Sequence, residues 1–186
     1  MPIDHFDFIA PLFSRASYSS LQMMLEHANL PTTGRVLDAG GGTGRVANAI
    51  CEHAGEVVIA DPSLGMLRQA DRTQLKLACS NSETLPFPEA SFERVIMVDA
   101  LHHVISQAET AREMYRVLKP GGRIVIEEPD IRSFYVKLIA MAEKILFMRS
   151  HFLSPQKIVE LFSYDSAKAC FYAVDSTAWV VVEKPQ

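Results

Sequence analysis

The chain has 186 residues, enough for one domain with a sizeable core and little more. Hydrophobic residues make up 48% and charged residues 22%, near the globular average, which excludes a disordered chain. A formal net charge of -4 and a pI near 5.9 leave no broad basic surface, so bulk binding to nucleic acid or to an anionic membrane is disfavoured.

The first predicted element is a helix over residues 6–30, with Leu21, Met24, Leu25 and Ala28 spaced for one apolar face, closed by Pro31 and Gly34. An alternation follows that organises the rest. Residues 35–39 form a short apolar strand that meets glycines, and residues 46–53 a helix. Residues 56–60 form a second strand ending at Asp61, and Ser63 can cap the next helix. Residues 75–79 and 92–98 are the third and fourth strands, the latter a continuous apolar run suited to a strand covered on both faces. A helix over 106–118 opens with the capping box Ser106-x-x-Glu109 and ends before Pro120-Gly121-Gly122. A fifth strand over 123–126 and helical stretches over 133–149 and 154–162 come next. Residues 168–174 and 177–183, joined at Asp175-Ser176, read as a hairpin. The expected fold is α/β: a doubly wound, mostly parallel, seven-stranded sheet with an antiparallel C-terminal edge hairpin.

Cys51, Cys79 and Cys170 are an odd number without paired short spacing, so neither a disulfide framework nor a metal site is signalled. Each lies in an apolar run and reads as a small buried hydrophobe. The N-terminus lacks the apolar stretch of a signal peptide, and the greasiest segment, residues 136–148, contains Lys137, Glu143 and Lys144. A chain without a transmembrane segment, in a reducing cytoplasmic setting, is expected.

In Asp38-Ala39-Gly40-Gly41-Gly42-Thr43-Gly44 the glycines lie where a strand turns sharply into a helix. Such a turn, at the carboxyl end of a strand in an open α/β sheet, is a ligand crevice. The dinucleotide fingerprint G-x-G-x-x-G would need glycine at position 45, where the chain has Arg45, which disfavours an NAD-dependent oxidoreductase. Asp61 stands about 20 residues further on, where a carboxylate can accept both ribose hydroxyls.

With these features the sequence resembles class I S-adenosylmethionine (SAM)-dependent methyltransferases, and within them the methyltransferase type 11 group that includes ubiquinone and menaquinone biosynthesis C-methyltransferase-like proteins. The matching segments are Val36 through Gly44, Asp61-Pro62-Ser63 with Met66-Leu67, Leu85-Pro86-Phe87, Ser91-Phe92-Glu93, Ala100-Leu101-His102-His103 and Arg116-Val117-Leu118-Lys119-Pro120-Gly121-Gly122. The resemblance implies one methyltransferase domain over residues 1–186, with an N-terminal helical cap over 1–33 and a short helical acceptor-side insertion over 130–165. It implies SAM as cofactor and S-adenosylhomocysteine as product. It brings Gly40, Gly41, Gly42 and Gly44 against the methionine and ribose parts, Asp61 onto the ribose hydroxyls, and Pro62 and Met66 beside the adenine. Asp38 would hold the loop or meet the methionine amino group, and Asp99 and Ala100 would lie along the methionine. Where the family carries an acidic residue followed by a small one at the adenine amino group, this chain has Asn81-Ser82. An asparagine carbonyl still accepts that bond, without charge assistance.

Methyl transfer requires alignment of an acceptor more than a catalytic triad, and the sequence shows no triad. Candidate bases stand at strand ends: Asp99, His102 and His103 after the fourth strand, Glu127, Glu128 and Asp130 after the fifth. Glu128-Pro129 reads as pocket floor, and His102-His103 are the weak catalytic candidates. The insertion carries Phe134, Tyr135, Leu138, Ile139, Met141, Phe147, Met148 and Phe152. These would line an apolar or quinone-like acceptor; the reading favoured by their helical spacing is core or a homodimer face. The expected function is methyl transfer to a small-molecule acceptor; the alternative is a non-catalytic protein of the same fold with a binding or regulatory role.

Overall fold

The structure, a computed structural model, describes residues 18–145, 150–164 and 166–186. The first described helix, α1 (Tyr18–His27), buries Met24 and leads to Ala28, also buried. The part of the predicted N-terminal helix before it lies outside the described residues.

Five strands follow in the expected places: β1 (Arg35–Ala39), β2 (Glu56–Asp61), β3 (Leu75–Cys79), β4 (Phe92–Val98) and β5 (Leu118–Pro129). Between them run α2 (Arg45–Ile50), which tightens into a 3-10 turn at Cys51–His53, α3 (Leu64–Leu67) and α4 (Gln107–Val117). Then come α5 (Phe134–Ile145), α6 (Pro155–Glu160), β6 (Lys168–Val174) and β7 (Thr177–Glu183). The seven strands form one sheet in the order β3-β2-β1-β4-β5-β7-β6. The first five are parallel, and β7 runs antiparallel to both β5 and β6. Within the C-terminal hairpin, therefore, β6 is outermost.

Successive side chains of a strand point to opposite faces, so the central strands divide between two cores. Val36, Ile59, Ile96, Val125 and Trp179 pack with Met24, Ala47, Ile50 and Leu67, which puts α1, α2 and α3 on one face. Leu37, Val95, Met97, Ile124 and Ile126 pack with Ala111, Met114, Ile158 and Phe162, which puts α4 and α6 on the other. Both faces of β1, β4 and β5 are covered, which is why these strands read as near-continuous apolar runs.

Three local expectations are refined. Strand β5 begins eleven residues before Pro129, at Leu118, because Leu118 pairs with Phe92 and an irregularity between Phe92 and Arg94 absorbs the Pro120-Gly121-Gly122 turn. Ser106 caps α4, its Oγ accepting from the Glu109 N–H at 3.3 Å. The return half of the capping box is supplied from elsewhere: the Ser106 N–H donates to Glu83 at 3.3 Å, while Glu109 pairs with Arg112. The cysteines are not buried hydrophobes. Cys79 and Cys170 are exposed and Cys51 is half-buried, all three free thiols. The first two lie on β3 and β6, the edge strands, whose apolar runs are covered on one side at best.

Candidate functional site

The register of the parallel strands brings their carboxyl ends level: Ala39 sits beside Ala60, Asp61 beside Cys79, and Val98 beside Glu127. The glycine turn leaves β1 at this edge. Gly40 has φ +73°, and its N–H donates to the Ala60 carbonyl at 2.7 Å. A side chain there would stand 2.7 Å from the Ala100 Cβ, so glycine is what lets the turn lie against the tip of β4. At Gly42, with φ +54°, the nearest atom to an added Cβ is an Asp61 oxygen at 4.0 Å. Among the described residues, no other atom lies within 4 Å of that position. Gly41 is packed on Asp38, and Gly44 on Ile59, Leu75 and Ala70.

Asp61 joins the two tips. Its Oδ2 accepts from the Gly42 N–H at 3.0 Å and its Oδ1 from the Ser63 N–H at 2.8 Å. Burial pushes its carboxyl above the usual range, and those two N–H groups oppose the shift. Each oxygen keeps lone-pair capacity for a further donor. Ser63 in turn caps α3, accepting from the Met66 N–H at 3.2 Å. Pro62 is exposed, Met66 half-buried, Asn81 exposed and Ser82 buried, and Cys79, two residues before Asn81, lies beside Asp61 in the register.

Asp38 is 1% exposed, and its Oδ2 has no hydrogen-bond partner among the described residues. Burial raises its pKa to about 7, against an Ala47 N–H and the charge of Arg45. Asp99 follows β4 in left-handed conformation, φ 51°, and its N–H donates to the Glu127 carbonyl at 2.9 Å. Its carboxylate lies 3.8 Å from the Arg45 guanidinium. Glu127 takes the Ser20 hydroxyl at 3.4 Å, and burial together with Asp99 raises its pKa to about 7.

The structure separates the two histidines by environment. His102 is buried, its Nδ1 2.6 Å from Glu128 Oε2 and its ring stacked on Phe152 at 4.4 Å between centroids. Glu128 Oε1 accepts from the Ala100 and Leu101 N–H groups at 3.0 and 2.8 Å. One buried carboxylate thus ties the end of β5 to the whole turn after β4. His103 is half-buried, with Ser150 Oγ 3.3 Å from its Nδ1; burial and the neighbouring His102 lower its pKa to about 4. Such an imidazole is neutral at pH 7 and a weak base. Asp130 is held by Arg132 in a two-pronged pair. Two contacts have no counterpart in the sequence reading: the Glu128 anchor and the Arg45–Asp99 pair. Parallel neighbours β4 and β5 end at the same edge, and that adjacency is the only signal that could have joined residues 99–102 to 127–128.

Of the candidate lid, Phe134, Tyr135, Leu138 and Met141 are exposed on α5, so these four are not core, while Val136 is buried. Phe147 and Met148 lie outside the described residues. Two cavities, of about 390 and 710 Å³, lie around Arg123, Lys168 and Glu183 and include no residue of the glycine turn. Among the described residues no group of His, Cys, Asp or Glu is arranged to hold a metal ion, and no helix is long and apolar enough to cross a membrane.

Residues 37–126 match the methyltransferase domain family Methyltransf_11. A ubiquinone/menaquinone biosynthesis C-methyltransferase UbiE from Coxiella burnetii is 36% identical over 115 residues, 56% of this chain and 46% of that protein. Its namesake from Yersinia enterocolitica is 35% identical over 144 residues, 71% of this chain and 55% of that protein. The chain spans about half the length of the curated relatives it matches. Among solved structures, the YcgJ protein from Bacillus subtilis superposes with a TM-score of 0.78 at 18% identity, covering 91% of this chain and all of that one. The [4+2]-cyclase SpnF superposes with a TM-score of 0.75 at 15% identity, covering 97% of this chain and 94% of that one. At such identities these likenesses concern the fold.

Proposed function

Through residues 37–126 the chain belongs to the class I SAM-dependent methyltransferases, and from that membership we propose that it transfers a methyl group to a small apolar acceptor. The observation that carries the reading is the Asp61 bridge. A carboxylate at the tip of β2 is held by the Gly42 N–H beside open backbone, where a ribose diol can be accepted.

The residues present fit the cofactor. Among the described residues, the space over Gly42 is open to a ligand that a Cβ would obstruct, and the Asp38 Oδ2 is a buried acceptor without a donor. Gly40, Gly41, Gly42 and Gly44 would carry the turn along the methionine and ribose, and Asp61 would accept from the ribose hydroxyls. Pro62, Met66, Asn81 and Ser82 would flank the adenine, with Asp38, Asp99 and Ala100 at the methionine end. Bound, the cofactor supplies a methyl group on an electrophilic sulfonium, so alignment and exclusion of water are the protein's main task. Glu128 serves alignment by fixing the Ala100–His102 turn, and its bond to His102 leaves that imidazole a packing role. The exposed apolar face of α5 supports an apolar acceptor, and the names of the relatives, including a demethylmenaquinone methyltransferase from Corynebacterium urealyticum, support a quinone-like one.

A second reading, cofactor binding without methyl transfer, is favoured by one observation: a protein described as a [4+2]-cyclase has the same fold. Thermal unfolding with SAM, S-adenosylhomocysteine and NAD tests the binding half. SAM and its product should raise Tm, since a ligand at 100 times its Kd adds about 2.7 kcal/mol, and NAD should not. A screen of quinols, phenols and amines for release of S-adenosylhomocysteine tests the transfer half. Stabilisation without turnover on any of them favours the second reading; stabilisation by NAD alone overturns both.

A further inference from the structure

Beyond the glycine turn, one guanidinium acts on three carboxylates, and His102 acts on one of them, Asp99. Arg45, the first residue of α2, lies 3.8 Å from Asp99, with both side chains about two-fifths exposed. The same guanidinium acts electrostatically on Asp38 and Glu127. Among the described residues, Glu127 otherwise has only the Ser20 hydroxyl at 3.4 Å, and Asp38 keeps a buried oxygen without a partner. Glu128, committed to His102 and two N–H groups, adds its own charge against Asp99 and Glu127. Among the described residues, the edge of the sheet where β1, β4 and β5 end is therefore short of positive charge. Burial, with repulsion from Asp61 on Asp38 and from Asp99 and Glu128 on Glu127, holds both carboxyls up, to about 7 in each case.

SAM and S-adenosylhomocysteine share adenine, ribose and amino acid, and they differ by one methyl group and one unit of charge at sulfur. Asp61 and the glycine backbone meet what the two have in common and cannot tell them apart. Discrimination is a difference of affinities, and a group that senses the charge supplies it. Resting on the cofactor reading above, we propose that Asp99 and Glu127 select the sulfonium form over the uncharged thioether, with Arg45 opposing them, so that loss of charge at sulfur on transfer promotes release of the product. Charge sensing of this kind acts over several ångströms in a partly dry crevice and weakens with salt. It assists a step, product departure, that limits many enzymes.

The test is calorimetric titration of the full chain at pH 8 and low salt with three ligands: SAM, S-adenosylhomocysteine, and sinefungin, which carries an amine in place of the sulfonium. The proposal expects SAM and sinefungin to bind about tenfold more tightly than S-adenosylhomocysteine. Asp99→Asn and Glu127→Gln should each reduce that preference roughly threefold or more, and Arg45→Gln should increase it, an effect of opposite sign. Asparagine accepts the left-handed backbone of position 99, so that variant keeps the turn. A cooperative thermal transition like the parent's shows that a variant is folded. Equal affinities for charged and neutral ligands, or a preference unmoved by all three substitutions, overturn this inference and leave the cofactor reading standing. Absence of binding by all three ligands overturns the cofactor reading itself.

Discussion

Asp38 shows how one side chain couples the site to stability. Its carboxyl is raised from 3.8 to about 7 in the fold, so between those pH values the folded chain holds a proton that the unfolded chain has released. Its contribution therefore falls as pH rises from about 4 to 7 and is constant above that, by at most roughly 4 kcal/mol. His103, lowered to about 4, works in the opposite direction, because the unfolded chain binds its proton first. Subtracting one titration from another isolates Asp38: the stability difference between Asp38→Asn and the parent should grow in favour of the variant from pH 5 to pH 8, in urea unfolding without ligand. A difference independent of pH would show that the buried oxygen does not titrate as described. Glu128 gives a second residue-scale expectation. Glu128→Ala strands the His102 Nδ1 and two N–H groups in the interior and should cost about 3–5 kcal/mol. A loss below about 1 kcal/mol would mean the turn after β4 is held by something else. Asp38, Asp61 and the glycines were legible because their spacing repeats a strand–turn–helix grammar. Glu128, Asp99 and Arg45 were not legible as a group, since they are distant in sequence and meet only through the order of the strands.

Among the elements, those with strong periodicity were legible almost to the residue. β1, β3 and β4 lie where alternation and turn residues put them, and the hairpin turns at Asp175-Ser176. The errors fall where another element intervenes. β5 is lengthened by a partner, Phe92, that local pattern does not reveal, and the capping box of α4 is completed by Glu83. The edge positions of β3 and β6 expose Cys79 and Cys170, because an apolar run says nothing of how many faces are covered. β7 is the strand on which the C-terminal half of the sheet depends: it is paired on both sides, and Trp179, 1% exposed, packs 5.4 Å from the His27 ring of α1. Trp179→Ala should cost about 3–5 kcal/mol in denaturant unfolding. A cost near zero would mean that the α1 face is not packed on β7.

For the molecule as a whole, the doubly wound sheet explains why the chemistry gathers at one edge. Parallel strands deliver their carboxyl ends together, and the turn from β1, the tip of β2 and the loop after β4 converge there from three stretches of chain. Away from that edge, α5 exposes Phe134, Tyr135, Leu138 and Met141, an apolar surface that does not name what lies on it. Architecture and cofactor class were readable from the sequence because both rest on backbone turns. Acceptor identity was not, because it rests on side chains that a strand grammar leaves free. The central claim is that the glycine turn and Asp61 together hold SAM, and calorimetric titration of the parent chain and Asp61→Ala with SAM tests it most directly. One site per chain, weakened about 10- to 100-fold by the substitution, is the predicted result; binding undiminished in Asp61→Ala, or no binding by the parent, would contradict it.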